Sequence, residues 1–183
     1  MTDQPDLPEE PAPQPETRAI GLFQDISEDK AEELIYAMKI YGNESVEPID
    51  FYVSSLGGSA IDMFAIYDFM RETRDKVPLV TFGLGKVMSA AVLLLAAGTK
   101  GRRKIGKHCR IMIHSVNGGS TGPLQDLKNE MKEIQYIQDA YIEALCEETL
   151  FTKKQLKTYF TKNVNVYLSA EEAVKYGIAD IIV

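Results

Sequence analysis

The sequence has no charged-then-apolar leader at its start, so no secretory signal is expected. It lacks any apolar run approaching ~18 residues, which excludes a helical membrane span. The longest such run, residues 88–97, is interrupted only by Ser89 and reads as a buried helix. An excess of basic residues is missing too. The net charge is -7 and the pI about 4.9, whereas a nucleic-acid reader carries a basic face. The one basic cluster, residues 100–107, reads as a solvated turn between a helix and a strand. Cysteine is scarce. Cys109 and Cys146 fall in a predicted strand and a predicted helix, where isolated cysteines are small apolar filling. No internal repeat is present. These absences leave a cytoplasmic globular protein of one domain, with neither nucleic acid nor membrane as partner.

Proline is sparse after the first segment: five of the eight fall in residues 1–17, among acids and almost no large apolar side chain. Such a stretch buries too little to offset its ordering entropy, so a disordered tail is expected over 1–17 and one folded domain over 18–183. From Arg18 the pattern alternates strand and helix, the signature of an α/β fold. Strands are predicted over 18–23, 49–54, 79–82, 109–114 and 178–183. A helix capped by Ser27 carries Ala31, Leu34, Ile35 and Met38 on one stripe and stops at Gly42-Asn43. Another covers 59–74, with Ile61, Phe64, Ala65, Tyr67 and Phe69 as its apolar side, and a third covers 89–97. Over 123–149, Leu124, Leu127, Met131, Ile134, Ile137, Tyr141 and Leu145 recur at steps of three and four. A helix that long spans ~40 Å, more than a compact domain of this size needs, so it is expected to project and meet another subunit. Shorter helices are predicted over 153–160 and 169–176.

Three separated pieces carry chemistry. The first, FYVSSLGGSA, is a strand run ending in Gly57-Gly58 and opening a helix. The second, TFGLGKVMSAAVLLLAAG, sets Ser89 at the head of an apolar helix. The third, CRIMIHSVNGG, puts His114 near the end of a β-branched strand. A serine hydroxyl is a poor nucleophile at neutral pH and needs a base to take its proton. An unperturbed imidazole titrates near ~6.5, so His114 is the candidate base. Gly58 N–H and Ala90 N–H would serve as donors to a tetrahedral oxyanion, with Gly57 allowing close backbone approach. Ser89 could instead be only a helix cap, and Gly57-Gly58 only a tight turn. His108 lies in a basic turn and reads as a surface residue, and Lys86, three before Ser89, offers a serine–lysine dyad as the alternative.

These pieces resemble the Clp protease proteolytic subunits, the ClpP serine peptidase family, over about residues 20–183. The family's N-S-P-G-G turn appears as Ser54-Ser55-Leu56-Gly57-Gly58. Its G-x-x-x-S appears as Gly85-Lys86-Val87-Met88-Ser89, followed by Leu95-Ala96-Ala97-Gly98. Its R-x-M-I-H appears as Arg110-Ile111-Met112-Ile113-His114, and its S-A-E-E-A-x-x-Y-G as residues 169–177. There are three departures. Asn165 stands where the family has the third triad member, an aspartate, Val164 stands where an arginine helps join two rings, and the proline-rich tail stands where the family has an axial loop and leading helix.

The resemblance implies a ClpP/crotonase-like spiral of ββα units with a long projecting handle helix. It implies a serine endopeptidase subunit of a chambered ring that cuts unfolded polypeptides into short peptides. Ser89, His114 and Asn165 would be catalytic, and Gly57, Gly58 and Ala90 would form the oxyanion and substrate-binding turn. No metal or organic cofactor is implied. The implied partners are further copies in a heptameric ring or stacked rings, an AAA+ unfoldase, or a ClpP paralogue. The compartment would be cytoplasm, plastid stroma or, for a phage protein, host cytoplasm. Two alternatives stand beside it: a catalytically weak or silent ring subunit paired with an active paralogue, and a crotonase-type acyl-CoA enzyme.

Overall fold

A computed structural model describes residues 17–162 and 164–183. The tail expected over 1–17 thus lies, but for Thr17, outside the described residues. The chain alternates strand and helix as β1 (Ala19–Leu22), α1 (Glu28–Glu44), β2 (Ile49–Ser55), α2 (Ala60–Arg74), β3 (Leu79–Met88) and α3 (Ala91–Ala96). There follow β4 (Lys104–Ile105), β5 (Arg110–Ile113), α4 (Leu124–Glu148), α5 (Lys153–Thr161), β6 (Val166–Leu168), α6 (Ala170–Lys175) and β7 (Ile181–Ile182). Side-chain oxygens start the helices as their sequences suggest. Ser27 and Ser59 each accept a backbone N–H three residues on, and Thr152-Gln155 and Ser169-Glu172 form reciprocal capping boxes.

The sheet has seven strands in the order β1-β2-β3-β4-β7, with β5 branching from β3 and β6 pairing only with β5. All pairs are parallel except β5 with β6. The branching turns on the length of β3. A strand over 79–82 is expected, but β3 runs on through Gly83-Leu84-Gly85 to Met88. Phe82 and Gly83 pair with β4, while Lys86, Val87 and Met88 pair with β5. The two glycines hid this continuation, because glycine in a strand normally marks a break. One register irregularity against β2, between Val53 and Ser55, accommodates the change of neighbour. The strand directly before Ser89 is therefore braced on both sides.

Behind the sheet lies α3, in which every residue is fully buried. Burial of Leu93, Leu94 and Leu95, at about 1.5–3 kcal/mol each, anchors it in the core. Helix α1 passes Gly42-Asn43 and ends at Glu44, with Ser45 N–H bonded to Tyr41 O and the Arg18 side chain clamped on Tyr41 O and Ser45. On α2 the buried side is Met63, Ile66, Tyr67, Met70 and Thr73, with Phe64 and Phe69 partly buried and Ile61 exposed. The expected stripe was thus rotated by part of a turn. Helix α4 divides in two: Tyr141, Ile142, Ala144 and Leu145 are buried, whereas Leu124, Met131 and Tyr136 are exposed. At 1.5 Å per residue its length is ~37 Å, and its first half extends beyond the core as expected of a projecting helix.

The basic cluster needs correction. Arg103 is not solvated: it is 4% exposed, donates to the carbonyls of Ala96, Glu148 and Gly177, and pairs with Asp180. Lys100 pairs with Glu148. A run of lysines and arginines reads as surface in sequence because most of its buried partners, Glu148, Gly177 and Asp180, lie more than forty residues away. Among the described residues no helix is long and apolar enough to cross a membrane.

Candidate active site

Ser89 follows β3 directly. Its N–H donates to Met112 O on β5 at 2.7 Å, continuing the β3–β5 pairing by one step. The chain then reverses into α3, and Ser89 takes φ 55°, the only positive φ on a non-glycine among the described residues. A left-handed serine costs on the order of 1–3 kcal/mol and persists only where its surroundings over-determine it. Here the β5 pairing before it and the buried α3 after it do so. The turn lifts the side chain out of both elements into a cleft of about 370 Å³.

His114 arrives from the other side, immediately after β5. Its Nε2 lies 2.7 Å from Ser89 Oγ. With the ring proton on Nδ1, Nε2 accepts from the serine hydroxyl, the arrangement in which an imidazole takes the nucleophile's proton. The two residues are 25 apart in sequence and are joined by the β3–β5 register, Met88 opposite Met112.

The glycine turn forms the facing wall. A parallel bridge links Ile26 and Gly58. Its bonds run through Gly58's neighbours: Ile26 N–H donates to Gly57 O at 2.7 Å, and Ser59 N–H donates to Ile26 O at 3.0 Å. Gly58's own N–H therefore faces away from Ile26, and Gly58 lines the cleft with Ser89, Ala90 and His114. Both glycines are required. Their φ values are +107° and +140°, and a Cβ on Gly57 would lie 2.6 Å from Ser89 Cβ, while one on Gly58 would lie 2.4 Å from Ile26 O. Ala90 begins the helical turn, so its N–H is one of the donors a helix start leaves without an internal partner. Gly58, Ala90 and Ser89 thus line one cleft.

Asn165 sits just before β6. Continuing the register Ile113 opposite Val166 places Asn165 across from His114. It is exposed, and among the described residues no hydrogen bond joins it to the imidazole. Lys86 points its backbone into the β3–β5 ladder and is exposed, and His108 is likewise on the surface. Cys109 is buried, and burial pushes its thiol up to about 11, so it is packing and not a nucleophile. Cys146 is only partly buried. No group of three or more His, Cys, Asp or Glu among the described residues is placed to hold a metal ion.

Three contributors escape a reading of the sequence. Ile26 anchors the glycine turn with its main chain only, which leaves no side-chain signature. Ser55, fully buried, donates to Gln24 O and accepts from Gly57 N–H, fixing the same turn. Tyr141, placed in the apolar stripe of α4, donates its hydroxyl to Ser89 O at 2.8 Å. A phenol within a buried stripe was the available signal, since a buried tyrosine hydroxyl finds a partner.

A serine on a strained strand-to-helix turn, hydrogen-bonded to a histidine and flanked by backbone donors, defines a serine hydrolase. The chain belongs to the Clp protease family, whose model matches residues 15–183. It is 35% identical over 167 residues to ATP-dependent Clp protease proteolytic subunit 1 of Prochlorococcus marinus subsp. pastoris, covering 90% of this chain and 83% of that one. To proteolytic subunit 2 of Prochlorococcus marinus it is 36% identical, over 89% of this chain and 80% of the relative. To proteolytic subunit 2 of Corynebacterium jeikeium it is 34% identical, over 90% and 78%. The chain is accordingly a ClpP-type serine peptidase subunit, and the acyl-CoA alternative is set aside.

Proposed function

We propose that this subunit hydrolyses peptide bonds with Ser89 as nucleophile, His114 as general base, and the N–H groups of Gly58 and Ala90 as oxyanion donors. The observation that carries the reading is the 2.7 Å contact between His114 Nε2 and Ser89 Oγ at a left-handed serine. Ser89 Oγ attacks the scissile carbonyl carbon while His114 Nε2 takes its proton. The carbonyl oxygen becomes an oxyanion held by the two N–H groups. Collapse breaks the C–N bond as His114 returns the proton to the leaving amine, which gives an acyl-serine. Water then attacks the ester with His114 again as base, releasing the carboxylate product and regenerating the hydroxyl.

Asn165 takes the third position in this reading. Its side-chain carbonyl would accept from His114 Nδ1–H, fixing the tautomer without adding charge. In a serine-protease triad, aspartate-to-asparagine replacement costs about 10⁴ in turnover through the wrong tautomer; with the tautomer kept here, only the lost negative charge slows the reaction. A slow enzyme follows. The second reading, a silent subunit beside an active paralogue, rests on that same residue. Against it stands the retention of nucleophile, base and both donors.

The larger assembly is part of the same proposal. The subunit forms a ring, single or stacked, in which the site faces a chamber, unfolded polypeptides are the substrate, and an ATP-driven unfoldase or a paralogous subunit is the partner. The support is the exposed apolar half of α4 together with the relatives' names, which describe an ATP-dependent protease. A cytoplasmic location fits this role. The deciding experiment is Ser89→Ala. It is expected to abolish peptide cleavage and labelling by a fluorophosphonate while leaving the native mass unchanged. Undiminished cleavage by the variant would refute the nucleophile assignment.

A further inference from the structure

We propose that Tyr141 is a positioning residue that aims the Ala90 oxyanion donor by holding the carbonyl of Ser89. The inference rests on the peptidase reading of Ser89 and adds to it a residue outside the triad and the glycine turn. The carbonyl of Ser89 and the N–H of Ala90 belong to one peptide unit, which is planar and trans, so the two bonds point in opposite directions. Whatever fixes the carbonyl on one side fixes the N–H on the other. The Ser89 carbonyl accepts from Tyr141 Oη at 2.8 Å and from Val92 N–H at 3.0 Å. The bond from Val92 is local, spanning one turn at the start of a short helix. The bond from Tyr141 crosses from a different element, 52 residues away.

Restraint matters at this peptide because the neighbouring φ is strained. Left to itself, Ser89 at φ 55° gains by rotating toward an ordinary conformation, and that rotation swings the plane carrying Ala90 N–H. Tyr141 is well placed to resist it. It is 4% exposed, lies where α4 enters the core, and its ring is parallel to Phe160 of α5, at 6.1 Å between centroids and 7° between planes. Burial raises the phenol above its ordinary range, so it stays protonated and remains a donor throughout the working pH of a histidine base. The hydroxyl is committed to Ser89 O, while the residue still forms part of the cleft wall. Its contact with substrate is therefore through the ring, and its effect on the oxyanion passes through the Ser89–Ala90 peptide.

Tyr141→Phe removes the hydroxyl and keeps the ring stack. On a small peptide amide, kcat is expected to fall about tenfold while KM stays within about twofold, because the oxyanion exists only beyond the ground state. The affinity of a peptide aldehyde, whose hemiacetal oxygen occupies the oxyanion position, is expected to fall by a similar factor. The pH profile should keep its shape, since His114 is untouched. In a Ser89→Ala background, amide exchange over residues 88–92 is expected to rise at least threefold when Tyr141→Phe is added. Unchanged kcat and aldehyde affinity overturn the proposal, as does a loss expressed in KM alone or unchanged exchange over 88–92. Cleavage that survives Ser89→Ala would instead sink the nucleophile reading. The exchange measurement needs no catalysis and still decides whether Tyr141 holds the peptide.

Discussion

Asn165 is the residue whose replacement tests the third position of the proposed triad. It stands across from His114 by strand register, is exposed, and is uncharged where an aspartate would stabilise imidazolium. Asn165→Asp restores that charge with almost no change of volume. Turnover on a small peptide ester is expected to rise about tenfold or more, at least ~1.4 kcal/mol off the barrier. Asn165→Ala removes the orienting acceptor and is expected to lower turnover. Equal rates for all three forms, measured under saturating substrate, would place Asn165 outside the catalytic network. Ser89, His114, Gly57 and Gly58 were legible in sequence because each sits in a motif whose residue type the chemistry or the backbone demands. Ile26 was not, because a main-chain contribution can be made by any residue. Tyr141 was placed on the right helix, yet its target is set by tertiary packing that periodicity does not encode.

Two elements meet at Glu148, the last residue of α4. Its carboxylate is 2% exposed, receives both Nη atoms of Arg74 at 2.9 and 2.8 Å, lies 2.8 Å from Lys100 Nζ and accepts from Tyr67 Oη at 3.0 Å. Burial alone would push this carboxyl up, but the hydrogen bonds from Arg74 and Lys100, with their charges, outweigh it and hold the group below the usual carboxylate range. A carboxyl depressed by folding contributes stability that is complete above its unfolded value near ~4.5 and is lost as pH falls through the lower folded value. Glu148→Gln is therefore expected to cost about 2–3 kcal/mol at pH 7, where two cations lose their anion, and to flatten the acid limb below about pH 4.5. Urea titrations at pH 7 and pH 3.5 check it: an equal cost at both would show that the charge contributes nothing. At the other end of α4, Leu124 and Met131 are 69% and 71% exposed on the projecting half. Leu124→Asp with Met131→Asp is expected to reduce the native mass without lowering the melting temperature of the subunit, and light scattering with calorimetry reads both. Ile134, further along the helix, packs instead against Gly118 of the loop after His114. Element types and order followed from hydrophobic period and caps, while β4 and β6 were missed because strands of two and three residues leave no period to detect.

At the scale of the whole molecule, Arg18, near the start of the described residues, clamps the end of α1, and the proline-rich segment precedes it in sequence. A chain starting at Arg18 is expected to fold and to cleave small peptides at the parent rate. Loss of either, by circular dichroism or by assay, would give the segment a structural role. The α/β class and the projecting helix were legible from the alternation of patterns and the length of one stripe. The branching of the sheet was not, because it depends on two glycines continuing a strand that local preference would end. That branching has a consequence for the order in which the molecule is made. The parts of the site are far apart along the chain: Ile26 holds Gly57, Ser89 meets His114, and Tyr141 reaches back to Ser89. The last edge, β6 against β5, is supplied by residues 166–168. During synthesis from the N-terminus, Ser89 emerges long before Tyr141 and β6, and closure over such separations is slow relative to local structure. The growing polypeptide thus lacks the Tyr141 contact to Ser89 and the β6 edge beside His114 until most of its length has been made.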